Sequence, residues 1–312
     1  MKKTSNNQWA GTRNWYLFPL VLFAFMLFPL LQMRAEEKIL LAFGNQGVPC
    51  YRTPEEGIYM DGFAIDNQGN LYFAGGGVEH PVLFCYSQKE RKTLYRVSLP
   101  DATSGSLCYA DGKLYLLEQW RRGGSPMLLT LTQINPSNGK IISRKKLLLP
   151  EKISYSIFTD NQVSVRTQGT PKKNERGEII GFDFKYYLYD LQGRIKRQMN
   201  APYALDSKVL SFSTQGYSLQ YIGRYQKGYV FYDACPDNKY DRGVFILVDD
   251  QGKEIKRSKE LYRQDTGEVM MASSEGNPEE HKKIAGDYLY LLGKKGDSLC
   301  INKYSLKELF PD

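Results

Sequence analysis

The chain has 312 residues, with 42 lysines and arginines against 34 aspartates and glutamates, a formal net charge of +8. Four of the cations precede Glu36 and no acidic residue does, so the remainder carries a net charge of only +4. Such a charge is too small for a nucleic-acid-binding protein, which usually shows a dense basic patch. A charged fraction of 24% with a hydrophobic fraction of 42% also excludes wholesale disorder.

The first predicted element is an uncharged apolar run at residues 16–33, preceded by Lys2, Lys3 and Arg13. A basic segment followed by an apolar segment is typical of an export signal. The run is longer than the usual signal core of about 7–15 residues and just short of the ~20 that span a bilayer as a helix. Ala35 offers a position for cleavage.

Two interpretations of residues 1–35 therefore stay open: a cleaved signal peptide, or an uncleaved membrane-anchor helix. In both, the positive flank places the N-terminus in the cytoplasm. Residues 36–312 are then extracytoplasmic, which means periplasmic, secreted, or tethered to the membrane only through residues 16–33.

The rest of the chain contains two series of short hairpins. Members of the first series place a tight turn before a strand of alternating aliphatic and aromatic residues, with turns at Gly69, Gly112, Asn161, Gly228 and Gly286. Members of the second series end in a basic strand, with turns near Lys89, Gly139, Gly193 and Gly252. Glycine and asparagine supply the positive φ that a tight strand reversal needs.

The two series alternate along the chain, so each repeat contains about four strands. The steps between turns of the first series run from 43 to 67 residues. A four-stranded repeat of roughly 40–50 residues is typical of a β-propeller, so this spacing predicts that fold. We therefore predict an all-β propeller domain over residues 36–312 with five or six four-stranded blades, a sixth being suggested by extra strands in 203–233. The predicted blades are 58–100, 104–150, 152–202, 208–260 and 266–310, with the lone strand 38–43 closing the last one.

Residues 62–75, GFAIDNQGNLYFAG, resemble the repeat of NHL-type six-bladed propellers, in which a small or aliphatic strand precedes an Asp-x-x-Gly-Asn turn. The resemblance is close in this repeat and looser elsewhere, since 108–117 lacks the asparagine and 159–165 lacks the glycine. It implies a closed ring. It implies no single reaction, because that superfamily includes binding scaffolds, lactonases and lyases.

Histidine limits the chemistry that the chain can perform. The two histidines are His80, in a glycine-rich loop, and His281, in a charged run that indicates a surface position. Neither has a second histidine or a cysteine at metal-ligand spacing. A catalytic triad would need one of them as its base.

A divalent cation in the central channel is the alternative to a binding function. The resemblance implies that lactonase- and lyase-like propellers hold such a cation with ligands from their inner strands, and oxygen ligands suit Ca²⁺ or Mg²⁺. The predicted starts of the inner strands carry Asp61, Ser104, Ser106, Tyr155, Tyr217 and Lys282. Only Asp61 is acidic, so we expect no bound metal or other cofactor. Residues 237–243 also lack the spacing of a calcium loop.

The most exposed-looking cluster is Trp120, Arg121 and Arg122, which begins a glycine-rich loop. An indole beside two guanidinium groups can stack on a sugar or bind an anionic partner. Residues 171–177 are instead predicted to be a solvated loop tip. Of the five cysteines, Cys108 and Cys300 lie within apolar strands and are predicted to be small core residues.

These observations favour an exported, non-catalytic propeller that binds a protein or a glycan at the cell envelope. The candidate ligand-binding residues are Trp120, Arg121, Arg122, Asp61 and His80. The alternative is a metal-dependent hydrolase or lyase with its site at the central channel.

Overall fold

The computed structural model describes the chain in the following ranges: 37–44, 47–49, 51–53, 57–59, 62–75, 81–99, 105–120, 128–149, 152–200, 203, 205–213, 219–234, 242–262, 281–296 and 298–311. The apolar run at residues 16–33, the basis of the predicted signal or anchor helix, lies outside these ranges. Within them, no helix combines the length and the hydrophobicity needed to cross a bilayer.

The described residues form mostly strands. In chain order these are β1 (Glu37–Ala42), β2 (Tyr51–Thr53), β3 (Gly57–Tyr59), β4 (Gly62–Ile65), β5 (Asn70–Gly75), β6 (Val82–Ser87), β7 (Lys92–Ser98), β8 (Gly105–Ala110), β9 (Lys113–Trp120), β10 (Leu128–Ile134), β11 (Ile141–Lys146), β12 (Ile153–Thr159), β13 (Gln162–Thr167), β14 (Thr170–Lys173), β15 (Ile179–Asp183), β16 (Tyr186–Tyr189), β17 (Ile195–Met199), β18 (Leu219–Tyr225), β19 (Gly228–Asp233), β20 (Arg242–Val248), β21 (Glu254–Arg257), β22 (Leu261–Tyr262), β23 (Lys282–Ala285), β24 (Tyr288–Lys295) and β25 (Ser298–Ser305). Two short helices are described with them, α1 (Ser207–Ser213) and α2 (Leu306–Leu309).

Twenty of these strands form five antiparallel sheets, the blades of a five-bladed propeller. The blades are β4-β5-β6-β7, β8-β9-β10-β11, β12-β13-β16-β17, β18-β19-β20-β21 and β23-β24-β25-β1. The first strands of blades 1, 2 and 3 contact one another in turn, as do those of blades 4, 5 and 1. The described strands therefore bear out an all-β propeller.

The last blade is completed by the N-terminal strand. β1 pairs antiparallel with β25, with Ile39 opposite Ile301 and Leu41 opposite Leu299. The two ends of the described chain thus share one sheet, and this pairing closes the ring.

The described part of the chain has five blades. The sixth blade suggested by residues 203–233 is not found there, and that prediction is corrected. The extra apolar residues there form α1, whose Val209 and Phe212 pack into the core beside Phe231 and Ile246 of blade 4. They cover a blade and add no sheet. Residues 62–75 resemble the NHL repeat. The structure supports the propeller fold that this resemblance implies, but it does not support the NHL type specifically.

A short carboxylate or amide side chain shapes the turns of both hairpin series. Asp66 Oδ1 accepts hydrogen bonds from the backbone amides of Gln68 and Asn70. Asp190 and Asp249 accept the corresponding pair of amides in the outer hairpins of blades 3 and 4. Because this bonding is local, each hairpin can be recognised in the sequence one turn at a time.

Neighbouring blades pack face to face through apolar side chains. Leu41 of blade 5 lies in one buried cluster with Phe63 and Phe73 of blade 1. At the start of blade 1 the backbones approach so closely that a Cβ on Gly62 would lie within 2.8 Å of the backbone nitrogen of Leu107. Only glycine fits at that contact.

The closing strand provides the first prediction. Leu41→Ala should lower the free energy of unfolding by about 2–5 kcal/mol, because it removes buried side-chain volume between blades 5 and 1. Leu40→Ala is the matched control: Leu40 is its neighbour on β1 but is 51% exposed, so we expect a change within about 0.5 kcal/mol. Urea unfolding followed by tryptophan fluorescence measures both. Equal losses in the two variants would contradict the closure.

Candidate functional site

The inner strands of the five blades surround a small cavity of about 190 Å³. Its walls come from β4, β8, β12, β18 and β23 and from the turn after β12. All five blades therefore contribute to it, which identifies it as the central channel. The polar side chains on its walls include Asp160, Asn161, Arg224, Lys282 and Lys283, together with the thiol of Cys108.

A carboxylate and a phenol join blades 3 and 4 at this cavity. The hydroxyl of Tyr221 lies 2.8 and 2.7 Å from the two carboxylate oxygens of Asp160 and donates a hydrogen bond to them. Arg224 Nε lies 3.8 Å from the same carboxylate, and the guanidinium stacks over the ring of Tyr229. Asp160 is thus bound from one side by its neighbouring blade.

Burial sets the protonation of this pair. It raises the pKa of Asp160 above its ordinary value, while the hydrogen bond from Tyr221 and the charge of Arg224 act in the opposite direction. Burial and the nearby carboxylate raise the pKa of Tyr221 as well. Tyr221 therefore remains a protonated donor at neutral pH. This arrangement is typical of a structural bond between blades rather than of a reactive base.

The channel thiol is similarly unreactive. Cys108 Sγ lies 3.6 Å from Asn161 Oδ1, and burial raises the pKa of this cysteine to about 11, outweighing the charge of Lys283. A thiol with so high a pKa is a poor nucleophile at neutral pH. Cys108 is half-buried on the cavity wall, whereas Cys300 is buried in the core as its sequence context predicts.

His281 is buried immediately before β23, so its predicted surface position was wrong. It is 3% exposed, and its Nε2 has no hydrogen-bond partner within the described ranges. Burial, with the charges of Lys282 and Lys283, lowers its pKa to about 4. The neighbouring Lys282, also buried, places its ammonium 4.5 Å from the ring centre of Tyr232 in blade 4. Both side chains therefore lie in the interior.

The structure positions the predicted site residues only in part. Trp120 is the last residue of β9, and its backbone pairs with Leu128. Arg121, Arg122, Asp61 and His80 lie outside the described residues. Their proposed role in ligand binding stays a prediction.

The inner-strand positions considered for a cation are also only partly described. Lys282 begins β23, and Ser106 and Tyr155 lie within β8 and β12, but Ser104 and Tyr217 lie outside the described ranges. Among the described residues, no group of three histidine, cysteine or carboxylate side chains is placed to hold a metal ion.

The hairpin that contains the predicted solvated loop tip, residues 171–177, carries an exposed apolar surface just beyond that tip. β14 and β15 form a separate two-stranded sheet inserted between the second and third strands of blade 3. On β15, Ile180 is 67% exposed and Phe182 is 51% exposed, and Ile179 is exposed beside them. We call the side chains of Ile179, Ile180 and Phe182 the apolar hairpin surface.

The hairpin has a defined conformation despite its exposure. Asn174 Oδ1 accepts hydrogen bonds from the amides of Arg176 and Glu178 at its tip. Lys172 and Asp183 form an ion pair across its two strands at 2.6 Å. At its base, the guanidinium of Arg166 lies 4.7 Å from the ring centre of Phe184, which joins the hairpin to blade 3. The apolar side chains are therefore presented on an ordered support.

Sequence comparisons identify no relative: no family model matches the chain, and no curated protein matches it. Several solved structures are similar to it at low sequence identity. BamB from Moraxella catarrhalis is 10% identical, with a TM-score of 0.32 over 86% of this chain and 97% of that one. A member of the DUF4221 family from Bacteroides vulgatus is 11% identical, with a TM-score of 0.42 over 86% and 96% of the two chains.

Glutaminyl cyclase from Myxococcus xanthus is similar to the same extent. It is 10% identical, with a TM-score of 0.41 over 88% of this chain and 99% of that one. Likenesses of this size, to proteins with such different descriptions, do not discriminate between functions.

The bond between blades 3 and 4 provides the second prediction. Tyr221→Phe should lower the free energy of unfolding at pH 7 by about 1–3 kcal/mol, because the buried carboxylate of Asp160 loses its phenolic donor. Tyr229→Phe is the matched control, since no hydrogen bond of its hydroxyl is seen among the described residues, and it should change stability by about 0.5 kcal/mol or less. Urea unfolding measures both variants.

Asp160→Asn in the Tyr221→Phe background should recover part of the loss, because an amide costs less to bury than a carboxylate. Additive effects of the two substitutions would show that the pair is not coupled.

The buried imidazole provides the third prediction. The folded-state pKa of His281, about 4, lies below its ordinary value of 6.5, so between these values the unfolded chain binds a proton that the folded chain does not. The free energy of unfolding should therefore rise with pH across this window, with a contribution of about 3 kcal/mol that is lost as the pH falls.

His281→Gln, which cannot titrate, should flatten the profile between pH 4 and 6.5 while leaving its shape above pH 7 unchanged. Urea unfolding midpoints of wild type and variant, measured from pH 4 to pH 7, test this prediction. Identical slopes in wild type and variant would rule out the buried imidazole as their source.

Proposed function

We propose that this protein is an exported, non-catalytic binding module of the cell envelope that binds a protein partner through the apolar hairpin surface. The observation that carries the proposal is the exposure of Ile179, Ile180 and Phe182 on an ordered hairpin. Exposed apolar side chains clustered on a soluble domain mark interaction sites. Export is supported by the basic and apolar sequence of the first 35 residues.

The hairpin is not needed to close the ring. It pairs with none of the four-stranded sheets among the described strands, and its apolar side chains contribute to none of the clusters that bury the faces of the blades. Burying such side chains gains about 25 cal/mol per Å² of apolar area, so leaving them exposed has a cost that a partner would recover. Binding a partner therefore explains the apolar side chains on this hairpin better than the stability of the fold does.

The form of the hairpin also suits protein recognition. A two-stranded sheet presents backbone groups at its outer edges and side chains on its faces, which is the geometry that partners use when they add a strand. Register places Phe182 opposite Pro171 and Ile179 opposite Lys173, so Phe182 and Ile179 share a face, and Ile180 is the extra residue at the register shift between them. The ion pair between Lys172 and Asp183 lies on the opposite face.

The channel groups support a binding function over a catalytic one. Asp160 accepts a hydrogen bond from Tyr221, the Cys108 thiol is held protonated, and Lys282 lies against an aromatic ring of the preceding blade. Each of these chemically capable groups is used in a contact within or between blades. The exposed hairpin is therefore a better candidate for the functional surface than the channel is.

Site-specific photo-crosslinking tests the proposal and is the fourth prediction. A photoreactive amino acid at position 180 or 182 of the full chain, expressed in its own cells, should give one discrete adduct with a second protein. The matched control is position 255, because Ile255 is also an isoleucine, 51% exposed, on an outer strand of blade 4. It should give no such adduct.

The adduct at position 180 should fall at least tenfold when Phe182→Asp is added, while the urea midpoint stays unchanged. Adducts of equal yield at 180 and 255, or none at either hairpin position, would refute the proposal. N-terminal sequencing of the exported chain distinguishes a cleaved signal from an uncleaved anchor. A start at Glu36 would indicate cleavage.

A further inference from the structure

The outer strands of blades 2 and 3 form a basic surface on the perimeter of the ring. We define the basic wall as β11 with Lys140 and Leu148, together with β17 and the preceding Arg194. Its residues are exposed along almost the whole length of both strands. The cations that it contains are Lys140, Arg144, Lys145, Lys146, Arg194, Lys196 and Arg197.

Contacts between the blades fix these two strands next to each other. The ammonium of Lys145 donates a hydrogen bond of 2.6 Å to the carbonyl oxygen of Gln192, in the turn that leads to β17. The hydroxyl of Tyr189 donates one of 2.7 Å to the carbonyl oxygen of Leu148. In the same turn Gly193 has a φ of 72°, and a Cβ there would lie 2.9 Å from the side chain of Leu147. The wall is therefore a preformed surface.

Most of the positive charge on the wall is not neutralised by acidic side chains in the described ranges. Arg144 is paired with the buried Glu118 at 2.7 Å, and Arg194 with Asp190 at 2.8 Å. The other five cations form no ion pair with an acidic side chain in the described parts of the chain; they are Lys140, Lys145, Lys146, Lys196 and Arg197. This concentration of charge exceeds the net charge of +4 carried by the chain from Glu36 onward.

Aliphatic side chains lie among the cations of the wall. Leu148 is 83% exposed, Ile142 54% and Ile195 48%. A polyanion in water, such as a nucleic acid, would pair with the cations but leave these side chains hydrated. An anionic bilayer can bind both the cations and the aliphatic side chains. Its headgroups attract lysine and arginine, and the boundary of its acyl chains accepts aliphatic groups.

We propose that the basic wall docks on the surface of an anionic phospholipid membrane. The occupant is argued from charge complementarity together with the interleaved aliphatic residues, and it does not depend on the apolar hairpin surface. Docking would orient the ring edge-on to the bilayer, since the wall is formed by outer strands. Both flat faces of the ring would then remain accessible.

Vesicle co-sedimentation of the full chain tests this proposal and is the fifth prediction. The probes are vesicles of phosphatidylcholine alone and of phosphatidylcholine with phosphatidylglycerol at about 3:1. Wild type should bind the anionic vesicles at least tenfold more tightly, and high salt should reduce the difference because it screens the charges. The quadruple reversal of Lys145, Lys146, Lys196 and Arg197 to Glu should abolish the preference.

Two further variants keep the result interpretable. Reversal of the exposed Lys113, Lys227, Lys253 and Lys259 to Glu changes the net charge equally on other parts of the ring, and we expect at least half of wild-type binding. Ile142→Ser with Leu148→Ser keeps every charge and should weaken binding to anionic vesicles at least threefold. Urea midpoints confirm that each variant is folded.

Equal losses in the two charge-reversal variants would overturn the proposal, as would the absence of any preference for phosphatidylglycerol in wild type. Unchanged binding by the serine variant would also overturn it, because the wall would then act as a site for soluble polyanions. None of these outcomes bears on crosslinking at position 180, so failure here and failure of the hairpin proposal are distinguishable.

Discussion

The structure depends on covering both faces of every blade. A four-stranded sheet with apolar residues on two sides cannot be stable alone, so each blade is buried by the blade before it and the blade after it. A linear stack would leave one apolar face open at each end. Pairing of β1 with β25 removes that problem, because it brings Leu41 and Leu299 against Phe63 and Phe73 of the first blade. The same requirement explains why the clusters that join neighbouring blades are apolar.

The propeller fold could be predicted from the sequence because its signals are local. Each turn is formed by residues within five positions of one another, as Asp66 with Gln68 and Asn70 shows, and turns of the two series alternate along the chain. The number of blades was harder to predict. Residues 207–213 contain apolar side chains at a density typical of a strand, yet they form α1 because they cover a blade that is already complete. Tertiary packing there outweighs local pattern.

The polar contacts of the channel could not be predicted from sequence, because they depend on the register between blades. Tyr221 and Asp160 are 61 residues apart, and nothing near either residue indicates that the two meet. His281 misleads in a different way. It follows two glutamates and precedes two lysines, a run that indicates a surface, but it comes immediately before an inner strand and is buried there. For the hairpin, a signal was present: isoleucine and phenylalanine at 179–182 are unusual in a solvated loop.

The distribution of charge and apolar surface follows from the same geometry. A closed ring uses its inner strands and its inter-blade faces for stability, so substitutions there are limited by packing. Apart from β1, which closes the ring, the outer strands and the inserted hairpin are less constrained by closure. In this protein these positions carry five cations without an acidic partner in the described chain, and isoleucine or phenylalanine side chains exposed to solvent. Neither feature stabilises the ring, since like charges repel and exposed apolar groups gain nothing from folding. Their presence at positions where polar, neutral side chains would serve the fold equally well is the strongest reason to look for binding partners at the perimeter and not inside the channel.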